Sequence, residues 1–162
     1  MSQTNELEIM ERIALDLEGV EESLASSFNT GAEDFNALIR PLSAAGGKRL
    51  RAQLCLLIAN AGTSVERQRI RIAEAVEMLH LATLIHDDVL DQAEIRRGEE
   101  TIHMHKGNKV AILSGDYLFA KAFQIVSEMP NMKYLQIFSH IITCLVEGEF
   151  MQMEDVYRID QG

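Results

Sequence analysis

Asp87, Asp88 and Asp91 close a stretch, Met78 through Ile85, that carries no acidic residue and, apart from His80, no titratable group. Three carboxylates this close repel one another and must shed water if buried. Asp87 and Asp91 are four residues apart, so on a helix they share one face. Together they can give oxygens to Mg²⁺, which keeps several waters and takes its remaining ligands from substrate phosphate. Asp88 completes the candidate metal set. His80 precedes Asp87 by seven residues, two helical turns, and returns to nearly the same azimuth. Arg96 and Arg97 follow within a few residues, and arginine forks suit phosphate oxygens. A second basic group, Lys48-Arg49-Leu50-Arg51, follows a glycine pair at an expected helix start, where exposed N–H groups favour anions. Lys48 and Arg51 are three apart and can point the same way. Carboxylates and cations over an apolar floor imply a metal-bridged polyphosphate with a greasy remainder, a description that a prenyl diphosphate fits.

Each feature alone has a plainer reading. The aspartates could be a solvated helix end, His80 a hydrogen-bonded core histidine, and Lys48 to Arg51 ordinary surface charge beside a helix stop. Glu77-Met78-Leu79-His80 matches the Glu-x-x-His pair of di-iron bundles, but no second such pair completes a site. His103 and His105 are two apart, off a common helix face, and are expected in a loop without zinc.

The elements that must position these groups read as helices throughout, with no strand-like alternation of useful length and no repeat. Thr4 can cap a first helix running to about Phe28, with Leu7, Met10, Ile13, Leu17 and Val20 as its apolar stripe. A second helix is expected over 33–45, disturbed at Pro41 and ended by Gly46-Gly47 in a left-handed turn. A third spans 48–60. The longest, 65–90, is apolar over most of its circumference from Ala73 onward, as a central bundle helix would be. Residues 92–106 read as a loop; two more helices span 110–128 and 131–157.

The 162 residues suffice for one domain, 1–162, with a real core, and 47% hydrophobic content argues against disorder. A net charge of −10 disfavours nucleic acid and non-specific membrane binding. The apolar run around Leu54 to Ala61 is too short to span a bilayer, and Met1 to Asn5 leads into a charged segment unlike a signal peptide. The expectation is a cytoplasmic protein without stable membrane insertion. Cys55 and Cys144 sit in apolar runs and read as reduced core thiols.

Several of these segments, taken in order, resemble the trans-isoprenyl (polyprenyl) diphosphate synthase family. Gly46-Gly47-Lys48-Arg49-Leu50-Arg51 resembles its GGKRLRP motif, with Ala52 in place of the usual proline. Leu79-His80 with Ile85-His86-Asp87-Asp88-Val89-Leu90-Asp91 resembles its first aspartate-rich motif, and Arg96-Arg97-Gly98 the arginine pair after it. Gly115-Asp116-Tyr117-Leu118 and Gly148-Glu149-Phe150-Met151-Gln152 resemble two further signatures. The resemblance implies an all-α, multi-helix bundle of the isoprenoid synthase type. It implies that Lys48, Arg51, His80 and Arg97 hold the diphosphate of isopentenyl diphosphate. Asp87 and Asp91 would bind Mg²⁺ on an allylic prenyl diphosphate, with Arg96 on that same diphosphate. The implied reaction is ionisation of the allylic C–O bond, attack by the isopentenyl double bond, and loss of a proton.

In the family, bulk just before the aspartates closes the product tunnel. Ala82 and Thr83 are small here, and Val76, Leu79 and Thr83 descend the helix side that carries Asp87. The implied product is longer than the fifteen- or twenty-carbon class. The family also has a second aspartate-rich motif and a Lys-Thr pair, neither of which this sequence contains. The expectation is therefore half of a larger bundle, with an apolar face needing cover. Either self-association (a homodimer) or a complementing subunit would supply the missing wall, or the chain is a fragment that does not catalyse.

Overall fold

The structure is a computed structural model that describes residues 3–28, 33–44, 47–62 and 65–159. It forms two compact units, residues 1–125 and 126–162. The first holds α1 (Gln3–Ser27), α2 (Glu33–Ala44), α3 (Leu50–Asn60), α4 (Glu66–Leu90), a two-residue hairpin of β1 (Ile95–Arg96) and β2 (Glu99–Glu100), α5 (Ile102–Lys106) and most of α6 (Asn108–Ser127). The second is the end of α6 and α7 (Met132–Ile159).

In the first unit α1, α3 and α4 pack on one another pairwise. Val20, Leu24, Phe28, Leu56, Ala73 and Met78 are fully or almost fully enclosed. Between them run polar seams that the apolar periodicity of the sequence did not announce. Asp16 takes the Arg69 guanidinium at 3.0 and 3.1 Å, both side chains being buried, and also accepts from Asn60. Glu74, wholly enclosed, accepts from Ser23 (2.6 Å), Ser27 (2.7 Å) and Arg71 (2.6 Å). Each carboxylate is therefore partnered, the condition under which a charge tolerates burial. Gly19 sits where α1 crosses Ile70 of α4; a Cβ there would lie 2.8 Å from the Ile70 Cδ1 atom.

These seams change the expected pattern of α1. Leu7 and Met10 are exposed, and the enclosed positions are Ile13, Asp16, Val20, Leu24 and Phe28. Thr4 lies within α1 rather than capping it. Residues 92–106, expected to be loop, contain the hairpin and α5, so His103 and His105 lie on a short helix. The hairpin turns at Arg97 (φ 53°) and Gly98 (φ 88°), a two-residue connection with both central residues left-handed. Ala45 and Gly46 fall outside the described residues. Among those described around the turn, the left-handed conformation belongs to Arg49 (φ 47°), which precedes α3. The helix thus starts at Leu50, two residues later than expected, and leaves Lys48 before it.

α6 is long and apolar enough to cross a membrane by length and composition. Its Ala111, Ser114, Leu118, Ala122 and Ile125 are buried, while Val110, Ile112 and Leu113 are exposed. In the second unit Cys144 is exposed beside His140, one turn away on α7, and is no core thiol. Cys55 is half-buried, and burial pushes its pKa up.

Candidate active site

A basic cleft of about 180 Å³ opens between the start of α3 and the middle of α4. Its walls include Lys48, Arg51, His80 and Arg97, with Leu81 and Leu84 as apolar floor. The four basic residues come from three separate segments. The left-handed turn at Arg49 projects Lys48 and Arg51 from the helix start, while α4 supplies His80. The hairpin tip folds Arg97 over Gly47, where a Cβ would lie 3.5 Å from the Arg97 Nη2 atom. Arg51 Nη1 is 3.1 Å from His80 Nε2. A guanidinium only donates, so His80 Nε2 accepts and the ring is neutral with its proton on Nδ1. Burial lowers the His80 pKa below 6.5 and Arg51 lowers it further; Glu77 opposes them, and Arg97 and Arg96 add smaller lowering pulls. Lys48, Arg51 and Arg97 thus gather positive charge along one concave wall, an arrangement that can attract an anion.

Arg49, the one basic member of its run that turns inward, is buried and serves the frame. Its Nε and Nη2 donate to Glu21 at 2.6 and 3.0 Å, and its Nη1 to Glu77 at 3.4 Å. Non-glycine residues in left-handed backbone cost about 1 kcal/mol or more each and gather at functional sites. Among the described residues these are Arg49, Arg97 and Gln92, which respectively lead into α3, form the hairpin tip and follow α4.

The acidic end of α4 lies a short way along the helix. Asp87 is half-buried and Asp91 exposed, one turn apart, with the Asp91 N–H donating to the Asp87 carbonyl at 2.8 Å. Asp88 stands apart from them: it is buried and its Oδ1 accepts from Arg96 Nε at 2.6 Å. That bond uses one edge of the Arg96 guanidinium and holds β1 to α4. A second cleft, about 190 Å³, is walled by Asp88, Arg96, Arg97, Glu99 and Ile102 and shares Leu81, Leu84 and Arg97 with the basic cleft. Neither cleft is lined by Val76, Leu79, Ala82 or Thr83. Ala82 and Leu79 are buried, Val76 and Thr83 half-buried, and the Thr83 hydroxyl donates to the His80 carbonyl at 2.9 Å.

Two residues next to the motifs matter more than their sequence signal suggested. His86 Nε2 lies 3.1 Å from the Ile112 carbonyl of α6, so it carries the proton; its ring stacks on Phe119 at 5.5 Å. Asp116 lies 3.5 Å away, and Gly115 approaches so closely that a Cβ would strike the imidazole. The pairing of His86 with Gly115-Asp116 therefore locks α6 against the helix bearing the aspartates. Glu77, read in sequence as a stray metal motif, is buried and accepts the Ala52 N–H at 3.0 Å. The Glu-x-x-His spacing that suggested a metal was the available signal.

The Polyprenyl synthetase family model matches residues 32–161. The chain is 33% identical over 148 residues to the octaprenyl diphosphate synthase of Escherichia coli, covering 91% of this chain and 46% of that protein. It is 38% identical over 147 residues to heptaprenyl diphosphate synthase component 2 of Geobacillus stearothermophilus, covering 90% and 46%. Among solved structures it resembles the Caulobacter crescentus polyprenyl synthase complexed with calcium and isoprenyl diphosphate (TM-score 0.82, 36% identity, 88% of this chain and 45% of that one). It also resembles a Rhodobacter capsulatus decaprenyl diphosphate synthase (TM-score 0.82, 32% identity, 90% and 45%). The chain thus spans about half the length of these relatives, with the all-helical isoprenoid synthase architecture over that span. With its basic cleft, acidic helix end and fold all of one kind, this chain belongs to the polyprenyl synthetase family.

Proposed function

We propose that the chain forms the substrate-binding wall of a prenyltransferase that condenses isopentenyl diphosphate with an allylic prenyl diphosphate into a longer trans-polyprenyl diphosphate. The observation that carries this reading is the meeting of Lys48, Arg51, His80 and Arg97 around one apolar-floored cleft. A diphosphate there takes forked contacts from the two arginines and a hydrogen bond from His80. Leu81 and Leu84 would receive the hydrocarbon part and exclude water from a developing cation.

Asp87 and Asp91 fit a magnesium ion shared with substrate. They are two carboxylates one turn apart at an accessible helix end, short of a full cage, which matches an ion that draws its other ligands from phosphates and water. Bound there, Mg²⁺ would neutralise charge on the departing diphosphate. Arg96, oriented by Asp88, contributes positive charge to the same end. The Caulobacter relative was solved with calcium and isoprenyl diphosphate, and the names of the octaprenyl and heptaprenyl relatives support a product beyond the twenty-carbon class.

A second reading makes the chain a subunit that acts only with a complementing partner or a second copy. Leu50, Leu54, Leu57 and Ile58 form an exposed apolar stripe on α3, and a relative is itself named as one component of a synthase. One assay separates the two. The chain is incubated with Mg²⁺, labelled isopentenyl diphosphate and farnesyl diphosphate. Longer prenyl diphosphates, lost in Asp87→Ala, establish activity in this chain. No product alone, but product once the remaining half of a relative is added in trans, establishes the subunit reading. No product under either condition overturns both.

A further inference from the structure

A carboxylate in the wall of an anion-binding cleft works against the ligand unless its charge is already engaged. Glu77 is such a group: it lines the basic cleft yet is only 3% exposed. Its Oε1 accepts the Ala52 N–H at 3.0 Å and its Oε2 faces Arg49 Nη1 at 3.4 Å. The Ala52 N–H is one of the first-turn donors of α3 that have no partner inside the helix. Glu77 and His80 are three apart on one face of α4, and Arg51 and Ala52 are consecutive on α3. The Ala52–Glu77 and Arg51–His80 contacts are therefore two rungs between the same two helical turns.

We propose that Glu77 is a positioning residue of the basic cleft: through the Ala52 N–H it docks the first turn of α3 on α4 and so sets the Arg51–His80 pair to receive a diphosphate. The device depends on the residue at 52. A proline, as in the motif this segment resembles, has no N–H and would fix the turn by its ring instead. The inference rests on the diphosphate reading of the cleft.

The test is calorimetric titration of the full chain with inorganic pyrophosphate, with circular dichroism confirming the fold at the working temperature. The wild-type chain binds, and Arg51→Ala weakens binding. Glu77→Leu, which loses the acceptor, weakens it roughly tenfold; Glu77→Gln, which keeps an acceptor oxygen, falls between. The Ala52→Pro variant removes the donor, so Glu77→Leu or Glu77→Gln added to it costs markedly less affinity than in the wild type. Should Glu77→Leu not fold, the cycle of Glu77→Gln with Ala52→Pro decides alone. Wild-type affinity in the Glu77 variants, or losses that stay undiminished in the Ala52→Pro background, overturn the positioning role while leaving the cleft intact. Absence of binding in the wild type overturns the diphosphate reading and this inference with it.

Discussion

α4 carries two groups of carboxylates that the sequence writes in the same alphabet and the structure treats in opposite ways. Glu74 and Glu77, mid-helix, are enclosed, and every oxygen meets a serine, an arginine or a backbone N–H. Asp87 and Asp91, at the helix end, are half-buried and exposed. Acidic side chains inside a packed bundle survive only with their partners built in, and so become part of the frame. Those at an accessible end present oxygens to water, metal or ligand. Asp88 shows that neighbourhood in sequence does not decide membership. It lies between the two accessible aspartates but is buried with Arg96, and so belongs with the frame.

The comparison breaks first under mutation of the frame. Glu74→Leu removes the acceptor shared by Arg71, Ser23 and Ser27 and should cost about 3–5 kcal/mol of stability, read by urea unfolding. The paired Asp91→Ala change should cost less than about 1 kcal/mol, while removing Mg²⁺-supported pyrophosphate binding. Equal destabilisation by the two would erase the distinction.

The lock between α4 and α6 gives a middle-sized effect. Gly115→Ala places a methyl group against the His86 imidazole, and since Ile112 and Phe119 hold that ring, the helices must part. The expected loss is about 1–3 kcal/mol. His86→Ala makes room, so the double variant should be less destabilised than the two single losses summed. Strict additivity in thermal melts would show that the close approach carries no energetic weight.

Much of this architecture was legible beforehand. The bounds of α2, α4, α6 and α7 fall within two residues of those expected; Lys48, Arg51, His80 and Arg97 lie around one cleft, whereas Asp87 and Asp91, to whose side of the helix spacing returns His80, line neither cleft. What escaped were partners far apart in the chain. Asp16 looks like a solvent-facing acid until Arg69 is placed opposite, and the burial pattern of α1 shifts with it. Arg49 looks equivalent to Lys48 and Arg51 until its backbone turns left-handed and its side chain points inward. Arg97 at a left-handed position was equally hidden, because sequence favours asparagine or glycine there. Periodicity reports which face is buried; it is silent on which charges are buried in pairs.

The smallest effect, and the one most specific to the cleft, is the pH response of His80. Burial, then Arg51, Arg97 and Arg96, hold its pKa below 6.5. As pH falls through 6.5 the unfolded chain takes up this proton before the folded one does. Between the ordinary value and the lowered one, the unfolded state therefore holds more protons, and stability declines with falling pH; above that window the group contributes nothing. A bound diphosphate supplies negative charge beside the ring and should move the His80 titration upward. By reciprocity, pyrophosphate affinity should then rise as pH drops across the same window. Following the His80 ring proton by NMR, with and without pyrophosphate, measures both shifts. A free chain whose His80 titrates at or above 6.5, or a titration that pyrophosphate leaves in place, would separate His80 from the cations around it and leave the cleft with arginines and lysine alone.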